Sequence, residues 1–187
     1  MNFHSETEGF QPYIRDPETL ARPWAVPGTP GLEHRIGGLA KADRSGNVSY
    51  DPKNNELMIR LRAEKVARMV SDIPPLEING ADRSDLLVVG WGSTYGAIHA
   101  AVEEAQAAGL DVSSIHLRHL NPFPSNLGEI LKRFDRILVP ELNLGQLTSL
   151  LRSRFLVPAE AMTKVQGQPF QVSEILDRIR VKLREEP

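Results

Sequence analysis

Cysteine is absent from all 187 residues of this chain. The protein therefore forms no disulfide bond, offers no thiolate to a zinc ion or an iron–sulfur cluster, and uses no cysteine nucleophile. We expect any redox centre that the protein serves to lie on another chain.

The chain also lacks an excess charge, a long hydrophobic run and a leader pattern. Its 22 basic residues nearly balance 24 acidic ones, for a net charge of −2, so nothing favours nucleic acid or an anionic membrane as a partner. No apolar run approaches the roughly 18 residues of a membrane-spanning helix. The first residues show neither the basic start nor the apolar core of a signal peptide, and we expect a cytoplasmic protein.

Proline is concentrated in the first third of the chain, at positions 12, 17, 23, 27 and 30. Each proline fixes its own φ angle and disfavours helix at the preceding residue. Apolar residues among them, such as Trp24 and Leu32, predict an irregular Pro/Gly-rich arm that packs on another surface. An apolar stripe then predicts a helix from Lys53 to Val70, and we place a domain boundary after the linker that follows it. The arm and helix occupy residues 1–83, and a second domain occupies residues 84–187.

Strand-like apolar runs alternate with helix-like stripes in this second domain. Strands are predicted at 86–89, 112–117, 137–139 and 162–165, with a helix after each one. Ser125 is predicted to cap the helix that follows the second strand. The alternation predicts an α/β fold with an open, mostly parallel sheet and helices on both faces.

The candidate site lies where the predicted strands end, because ligands of open parallel sheets bind at the carboxyl ends of the strands. In the glycine-rich turn after the first strand, Gly92, Ser93 and Thr94 form a candidate site for an anion such as a coenzyme A phosphate. The other polar residues at this edge are Arg118, His119, Glu141, Asn143 and Gln146. These residues form no nucleophile motif and no metal-ligand spacing, so we assign no catalytic residue and no metal site.

A nucleotide- or NADP-binding domain is the alternative interpretation of the glycine turn. Its spacing, Gly90-x-Gly92-x-x-x-Gly96, is one residue longer than the dinucleotide fingerprint, and Arg118 and His119 stand where an acidic residue is expected. Arg118 could face the 2′-phosphate of NADP. Close packing between strand and helix is the simpler explanation of the glycines, and a pure interaction module, docked through the arm, is a further alternative.

Six runs of sequence carry a resemblance to a known family. They are Arg15–Thr19 with Arg22–Trp24, Pro27–Arg35, Gly46–Val48, Gly90–Gly96, His119–Pro124 and Glu141–Leu147. In this order they resemble the C-terminal part of the alpha subunit of 2-oxoacid:ferredoxin oxidoreductases, closest to the 2-oxoglutarate type. The resemblance covers nearly the whole chain.

The resemblance implies an enzyme that converts a 2-oxoacid and coenzyme A to an acyl-coenzyme A and carbon dioxide, and passes electrons to ferredoxin. It implies thiamine diphosphate, magnesium and an iron–sulfur cluster in the complete enzyme, with the diphosphate and cluster sites on a beta subunit. Residues 84–187 would be a transketolase C-terminal-like domain, and residues 1–83 the remnant of a truncated pyrimidine-binding domain. We expect a fragment that dimerises, serves assembly and shapes the active-site edge, binds none of these cofactors alone and is inactive alone.

Overall fold

The computed structural model describes residues 3–185, which form two compact units that divide between Asp72 and Ile73. From the sequence we expect this division after residue 83, but residues 73–83 belong to the second unit. Asn79 forms an antiparallel bridge with Ser114 through main-chain hydrogen bonds of 2.8 and 2.9 Å. The segment before the first strand of the sheet is therefore part of the α/β unit. The assignment of the first unit to a pyrimidine-binding domain stays a prediction.

The first unit contains two very short parallel strands and one long helix. Their bounds are β1 Phe3–His4, β2 Trp24–Ala25 and α1 Pro52–Arg68, followed by a 3-10 turn at Met69–Asp72. The helix predicted over Lys53–Val70 is thus observed within two residues of its predicted ends. Asp51 caps it by accepting a hydrogen bond of 2.9 Å from the main-chain nitrogen of Lys53.

Few apolar side chains of the first unit are buried. Hydrogen bonds and an ion pair from arginine side chains also join its segments. Trp24 and Ile36 are 62% and 64% exposed. The Arg15 guanidinium donates to the Asp43 carboxylate at 2.7 Å. Arg68 donates to two main-chain carbonyls of the arm at 2.7 Å. The buried apolar side chains among the described residues of this unit are Leu20, Leu32 and Met58.

The second unit is an open sheet of four parallel strands that alternate with helices. The elements are β3 Leu86–Trp91, α2 Tyr95–Ala107, β4 Val112–Leu117, α3 Leu127–Leu131, β5 Ile137–Glu141, α4 Gln146–Phe155, β6 Ala159–Thr163 and α5 Val172–Arg184. The strand order is β4-β3-β5-β6, and every pairing is parallel. The predicted α/β fold with an open parallel sheet is confirmed. Among residues 3–185, no helix combines the length and the apolar character required to cross a bilayer.

The two faces of the sheet are covered by different helices, as the continuous apolar run of β3 indicates. Leu86 and Val88 are fully buried beneath α2 and α5. Leu87 and Val89 are fully buried on the opposite face, beneath α3 and α4. Both core layers therefore meet at the central strands β3 and β5.

Two local predictions are wrong. The last strand is Ala159–Thr163 rather than 162–165, since Leu156 ends α4 in the left-handed conformation and the chain re-enters the sheet directly afterwards. Ser125 does not cap α3. Asn126 stands at the cap position, but its side chain instead bonds the main-chain nitrogen and oxygen of Leu76, both at 2.9 Å.

We expect an E160Q substitution to reduce stability at neutral pH and to have less effect in acid. Burial raises the pKa of Glu160, but hydrogen bonds from Lys182 and Arg178 on α5 outweigh it and hold the pKa below its ordinary value. A carboxyl with a lowered folded-state pKa stabilises the fold at neutral pH, and this stabilisation is lost as the pH falls. Because Glu160 is partly exposed, the loss at pH 7 should be below about 1 kcal/mol.

Urea unfolding of the wild type and E160Q measures this effect at pH 7 and near pH 3, about one unit below the usual glutamate pKa. E129Q on α3 is the control, because Glu129 is exposed and, among residues 3–185, forms its one ion pair with Arg133, four residues along the chain. An equal gap between wild type and E160Q at both pH values would contradict the ion-pair assignment.

Candidate functional site

The central strands β3 and β5 separate toward their carboxyl ends. The pairing of β3 with β4 extends over six residues, whereas that of β3 with β5 is limited to Leu87–Ile137 and Val88–Leu138. From β3 the chain crosses to β4 on one side, and from β5 it crosses to β6 on the other. This is the switch point of the sheet, where open α/β folds bind ligands. The turns after β3 and β5 therefore hold the predicted site residues that follow the central strands.

The turn after β3 is a short 3-10 segment over Gly92–Thr94 that leads into α2. Gly92 has a φ of +62°, a conformation that favours glycine. The Thr94 hydroxyl donates to the Trp91 carbonyl at 3.0 Å and accepts from the Trp91 nitrogen at 3.2 Å. Thr94 is buried and closes the turn, whereas Gly92 and Ser93 are exposed. Anion binding by Gly92, Ser93 and Thr94 stays a prediction.

Gly90 allows the turn to pack closely against its neighbours. A β-carbon at Gly90 would lie 2.7 Å from the Ile98 Cδ1 atom and 2.9 Å from the His116 Nδ1 atom. A side chain at this position would therefore force one of these neighbours to move. This observation supports close strand-to-helix packing as the reason for the first glycine of the turn.

The turn after β5 begins helix α4 with two capping side chains. Glu141 is 3% exposed, and its carboxylate accepts hydrogen bonds from the Leu147 nitrogen at 2.8 Å, the Thr148 nitrogen at 3.1 Å and the Thr148 hydroxyl at 2.6 Å. Asn143 accepts from the nitrogens of Gly145 and Gln146 at 2.9 and 2.8 Å. Glu141 and Asn143 thus satisfy donors at a helix start. The Gln146 side chain is exposed.

Arg118 and His119 lie in a different place, beside the edge strand β4. They line a cleft of about 590 Å³ between β4 and the segment 74–79, which we call the β4 cleft. Its other polar lining includes His116 on β4 and Tyr95 and His99 on α2. The predicted edge residues therefore lie in two places: some in the turns at the switch point and others in this cleft.

His116 is the most confined of these side chains. Its Nδ1 atom is buried and has no hydrogen-bond partner among residues 3–185. Burial lowers the pKa of His116, the positive charge of Arg118 lowers it further, and the Gly92 carbonyl partly opposes both effects. His116 pairs with Gly90 in the adjacent strand. A glycine within a strand often marks a close approach of a neighbouring group, so Gly90 is the sequence feature that could have indicated a ring packed beside it.

The described residues contain no group of three or more histidine, cysteine, aspartate or glutamate side chains placed to hold a metal ion. The sequence also has no cysteine to hold an iron–sulfur cluster.

Comparison with known proteins identifies the family. Residues 84–175 match the family described as pyruvate:ferredoxin oxidoreductase core domain II. Over 182 residues, 97% of this chain, the sequence is 50% identical to 2-oxoglutarate oxidoreductase subunit KorA of Mycobacterium tuberculosis, and it covers 28% of that protein. The chain is homologous to alpha subunits of 2-oxoacid:ferredoxin oxidoreductases. The family resemblance found in the sequence is thus confirmed.

Two more distant relatives agree with this result. Subunit alpha of 2-oxoacid:ferredoxin oxidoreductase 1 from Aeropyrum pernix is 28% identical over 95% of this chain and 28% of its own length. The structure of 2-oxoglutarate:ferredoxin oxidoreductase from Magnetococcus marinus matches with a TM-score of 0.86 and 27% identity, over 98% of this chain and 32% of that one. These relatives give no support to the nucleotide- or NADP-binding alternative. This chain spans less than a third of the length of each of these relatives.

Proposed function

We propose that this chain supplies the C-terminal portion of the alpha subunit of a 2-oxoacid:ferredoxin oxidoreductase that acts on 2-oxoglutarate. The observation that carries the proposal is the 50% identity over 97% of the chain with a protein named 2-oxoglutarate oxidoreductase subunit KorA. The Magnetococcus marinus enzyme, described with 2-oxoglutarate, coenzyme A and succinyl-CoA bound, supports the same substrate class. A cytoplasmic location is part of this proposal.

The proposed reaction balances as a two-electron oxidation. The bond between the carboxylate and the keto carbon of the 2-oxoacid breaks and releases carbon dioxide. The keto carbon forms a bond to the sulfur of coenzyme A, and the thiol proton is released. Two electrons pass, one each, to two oxidised ferredoxins. In the complete enzyme, thiamine diphosphate with magnesium would supply the carbanion chemistry and an iron–sulfur cluster would carry the electrons, both held outside this chain by a beta subunit.

The role of this chain in that enzyme is assembly and the shaping of one edge of the active-site region. The rigid carboxyl-end edge of the sheet supports this role, because Glu141 and Asn143 fix the start of α4 there through hydrogen bonds of 2.8 to 3.1 Å from main-chain nitrogens. Contact of the turn Gly92–Thr94 with a coenzyme A phosphate belongs to the same proposal. So do the beta subunit, ferredoxin and a second copy of the chain as partners.

Segment exchange tests the proposed function. The region of Mycobacterium tuberculosis KorA that aligns with this chain is replaced by this chain, and the hybrid is co-expressed with the KorA partner subunit. We expect 2-oxoglutarate-dependent and coenzyme A-dependent reduction of ferredoxin by the hybrid, and none by this chain alone when thiamine diphosphate and magnesium are added. Pyruvate in place of 2-oxoglutarate is the specificity control, and we expect it to be a poorer substrate.

Three results would count against the proposal. Turnover by the isolated chain would show that it is not an inactive portion of a larger enzyme. A hybrid that assembles but has no activity would contradict the role of the segment. If the parent enzyme prefers 2-oxoglutarate but the hybrid turns over pyruvate faster, the result would contradict 2-oxoglutarate as the substrate of the enzyme to which this chain contributes.

A further inference from the structure

The β4 cleft exists because β4 is an edge strand that is only partly covered. One side of β4 pairs with β3 along six residues, and the other side is bridged at Ser114 by Asn79. Hydrogen-bonding directions alternate along a strand, so the main-chain groups of His116 face the same outer side as those of Ser114. Beyond Ser114, the segment 74–79 and β4 form opposite walls of the cleft. The volume of about 590 Å³ lies in the range of small-molecule sites.

The charged lining of the β4 cleft is one arginine and one glutamate, with three histidines beside them. Arg118, His116, His119 and His99 line it, and Glu77 is the acidic side chain among its described lining residues. Arg118 forms no ion pair within 4.0 Å with any carboxylate of residues 3–185. Tyr95, the first residue of α2, also lines the cleft. The cleft therefore offers an anionic group an arginine that has no ion pair among residues 3–185.

The β4 cleft also has apolar lining residues, which come from both faces of the sheet. Ile98 is buried, and Leu76 and Ile78 are partly buried against the sheet core. Together with Ile115 on β4, these side chains line the same cleft as Arg118. An apolar surface next to an arginine without an ion pair is suited to a molecule that has an anionic group and an apolar portion.

We propose that the β4 cleft binds a small organic anion, whose carboxylate or phosphate lies at Arg118 and His119 and whose apolar portion packs on the partly buried side chains of Leu76 and Ile78. None of residues 92–94 or 141–146 is among the described lining residues of this site, although the Gly92 carbonyl faces His116. It goes beyond the proposed function, since it does not depend on the oxidoreductase reaction or on the partner subunit.

Ligand binding at this site couples to the protonation of His116. The groups that face His116 are Arg118 directly after β4, the Gly92 carbonyl, and Tyr95 on α2, whose ring packs edge-on at 5.0 Å. Tyr95 also stacks on His99 at 5.3 Å, and His99 lies 3.3 Å from the Glu103 carboxylate. An anion at Arg118 offsets the positive charge that opposes protonation of His116. It therefore raises the pKa of His116, and binding tightens as the pH falls through the range in which this imidazole titrates.

The full 187-residue chain can be tested with phenyl phosphate, hexanoate and inorganic phosphate as probes. Titration calorimetry gives the affinities, and NMR of the histidine imidazoles gives the pKa of His116 with and without each probe. We expect phenyl phosphate, hexanoate or both to bind saturably, to shift the His116 and His119 signals and to raise the pKa of His116. Each probe that binds should do so about tenfold more tightly than inorganic phosphate, because its apolar portion is buried.

R118Q and R152Q are the matched variants. Arg118 lines the cleft, whereas Arg152 is an exposed arginine of α4 outside the cleft lining. We expect R118Q to weaken binding about tenfold through loss of a charge-assisted hydrogen bond and R152Q to leave it unchanged. Thermal unfolding of both variants checks that the fold is retained.

The probes also distinguish the sources of the anion. Binding of phenyl phosphate but not hexanoate assigns a phosphate ligand, and the converse assigns a carboxylate; either result supports the site. The proposal is overturned when neither probe shifts the His116 signals up to about 50 mM, above the millimolar range of weak specific sites. Equal weakening by R118Q and R152Q overturns it as well, since the attraction is then unspecific.

Discussion

Replacement of Glu141 with alanine should lower the free energy of unfolding of this chain by about 3 kcal/mol. The carboxylate is buried and accepts three hydrogen bonds at the start of α4, two from main-chain nitrogens and one from the Thr148 hydroxyl. Alanine would leave these donors without an acceptor and would open a space where water does not replace the carboxylate well. The same loss detaches α4 from the end of β5. Urea unfolding followed by circular dichroism measures the change.

Two further variants separate the capping role from general effects of mutation. N143A removes an acceptor from a half-buried position that caps Gly145 and Gln146, and we expect a loss of about 1 kcal/mol. E129Q changes an exposed glutamate on α3, and we expect a change within about 0.5 kcal/mol. The capping assignment fails if E141A is no less stable than E129Q.

Replacement of Gly90 with alanine should destabilise the chain by about 2 kcal/mol, the typical cost of an extra methyl group in a close-packed site. The new β-carbon would lie 2.7 Å from Ile98, 2.9 Å from the His116 ring and 3.4 Å from the Thr94 hydroxyl. Relief requires a shift of the ring or of the first turn of α2, and both border the β4 cleft. Thermal and urea unfolding give the change in stability, and the imidazole NMR signals report the displacement of His116.

G96A is the control for G90A, because it adds the same methyl group six residues later in the same turn-helix region. No atom outside the immediate chain neighbours and the helix backbone lies within 4 Å of a β-carbon at Gly96, and Gly96 lies within α2. The higher helix propensity of alanine should stabilise the chain by up to about 1 kcal/mol. If G90A and G96A change stability in the same direction, close packing is not the reason for a glycine at position 90.

The strands that are buried on both faces could be predicted from the sequence. For the edge strand β6, a strand was predicted, but its bounds could not be. Leu86 to Val89 form a continuous apolar run, which occurs when helices cover a strand on both sides. In β6, the two small residues Ala159 and Ala161 alternate with Glu160 and Met162, and Glu160 is retained in the sheet by basic side chains of α5. That support comes from residues about twenty positions away, so no local pattern shows it.

Some residues of the candidate site could be identified from the local sequence, whereas others come together only in the folded chain. Arg118 and His119 were selected because they follow β4, and the position after a parallel strand is a property of the chain itself. Tyr95 and His99 on α2 approach His116 on β4 only when the helix packs beside the strand, so no local sequence pattern indicates that these three side chains meet. The capping role of Glu141 was also missed, since its acceptors serve Leu147 and Thr148, six and seven residues later, a spacing that matches no common helix-start motif.

The position of β3 at the centre of the sheet has a consequence for synthesis on the ribosome. It is the first of the four strands to emerge, yet its two neighbours β4 and β5 lie later in the chain. Until both have emerged, at least one edge of β3 is unpaired beside an incompletely covered apolar face, and these features promote intermolecular strand pairing. Nascent chains that stall between α2 and β5 should therefore be the species of this protein that chaperones bind most strongly, and the risk ends when β5 pairs with β3.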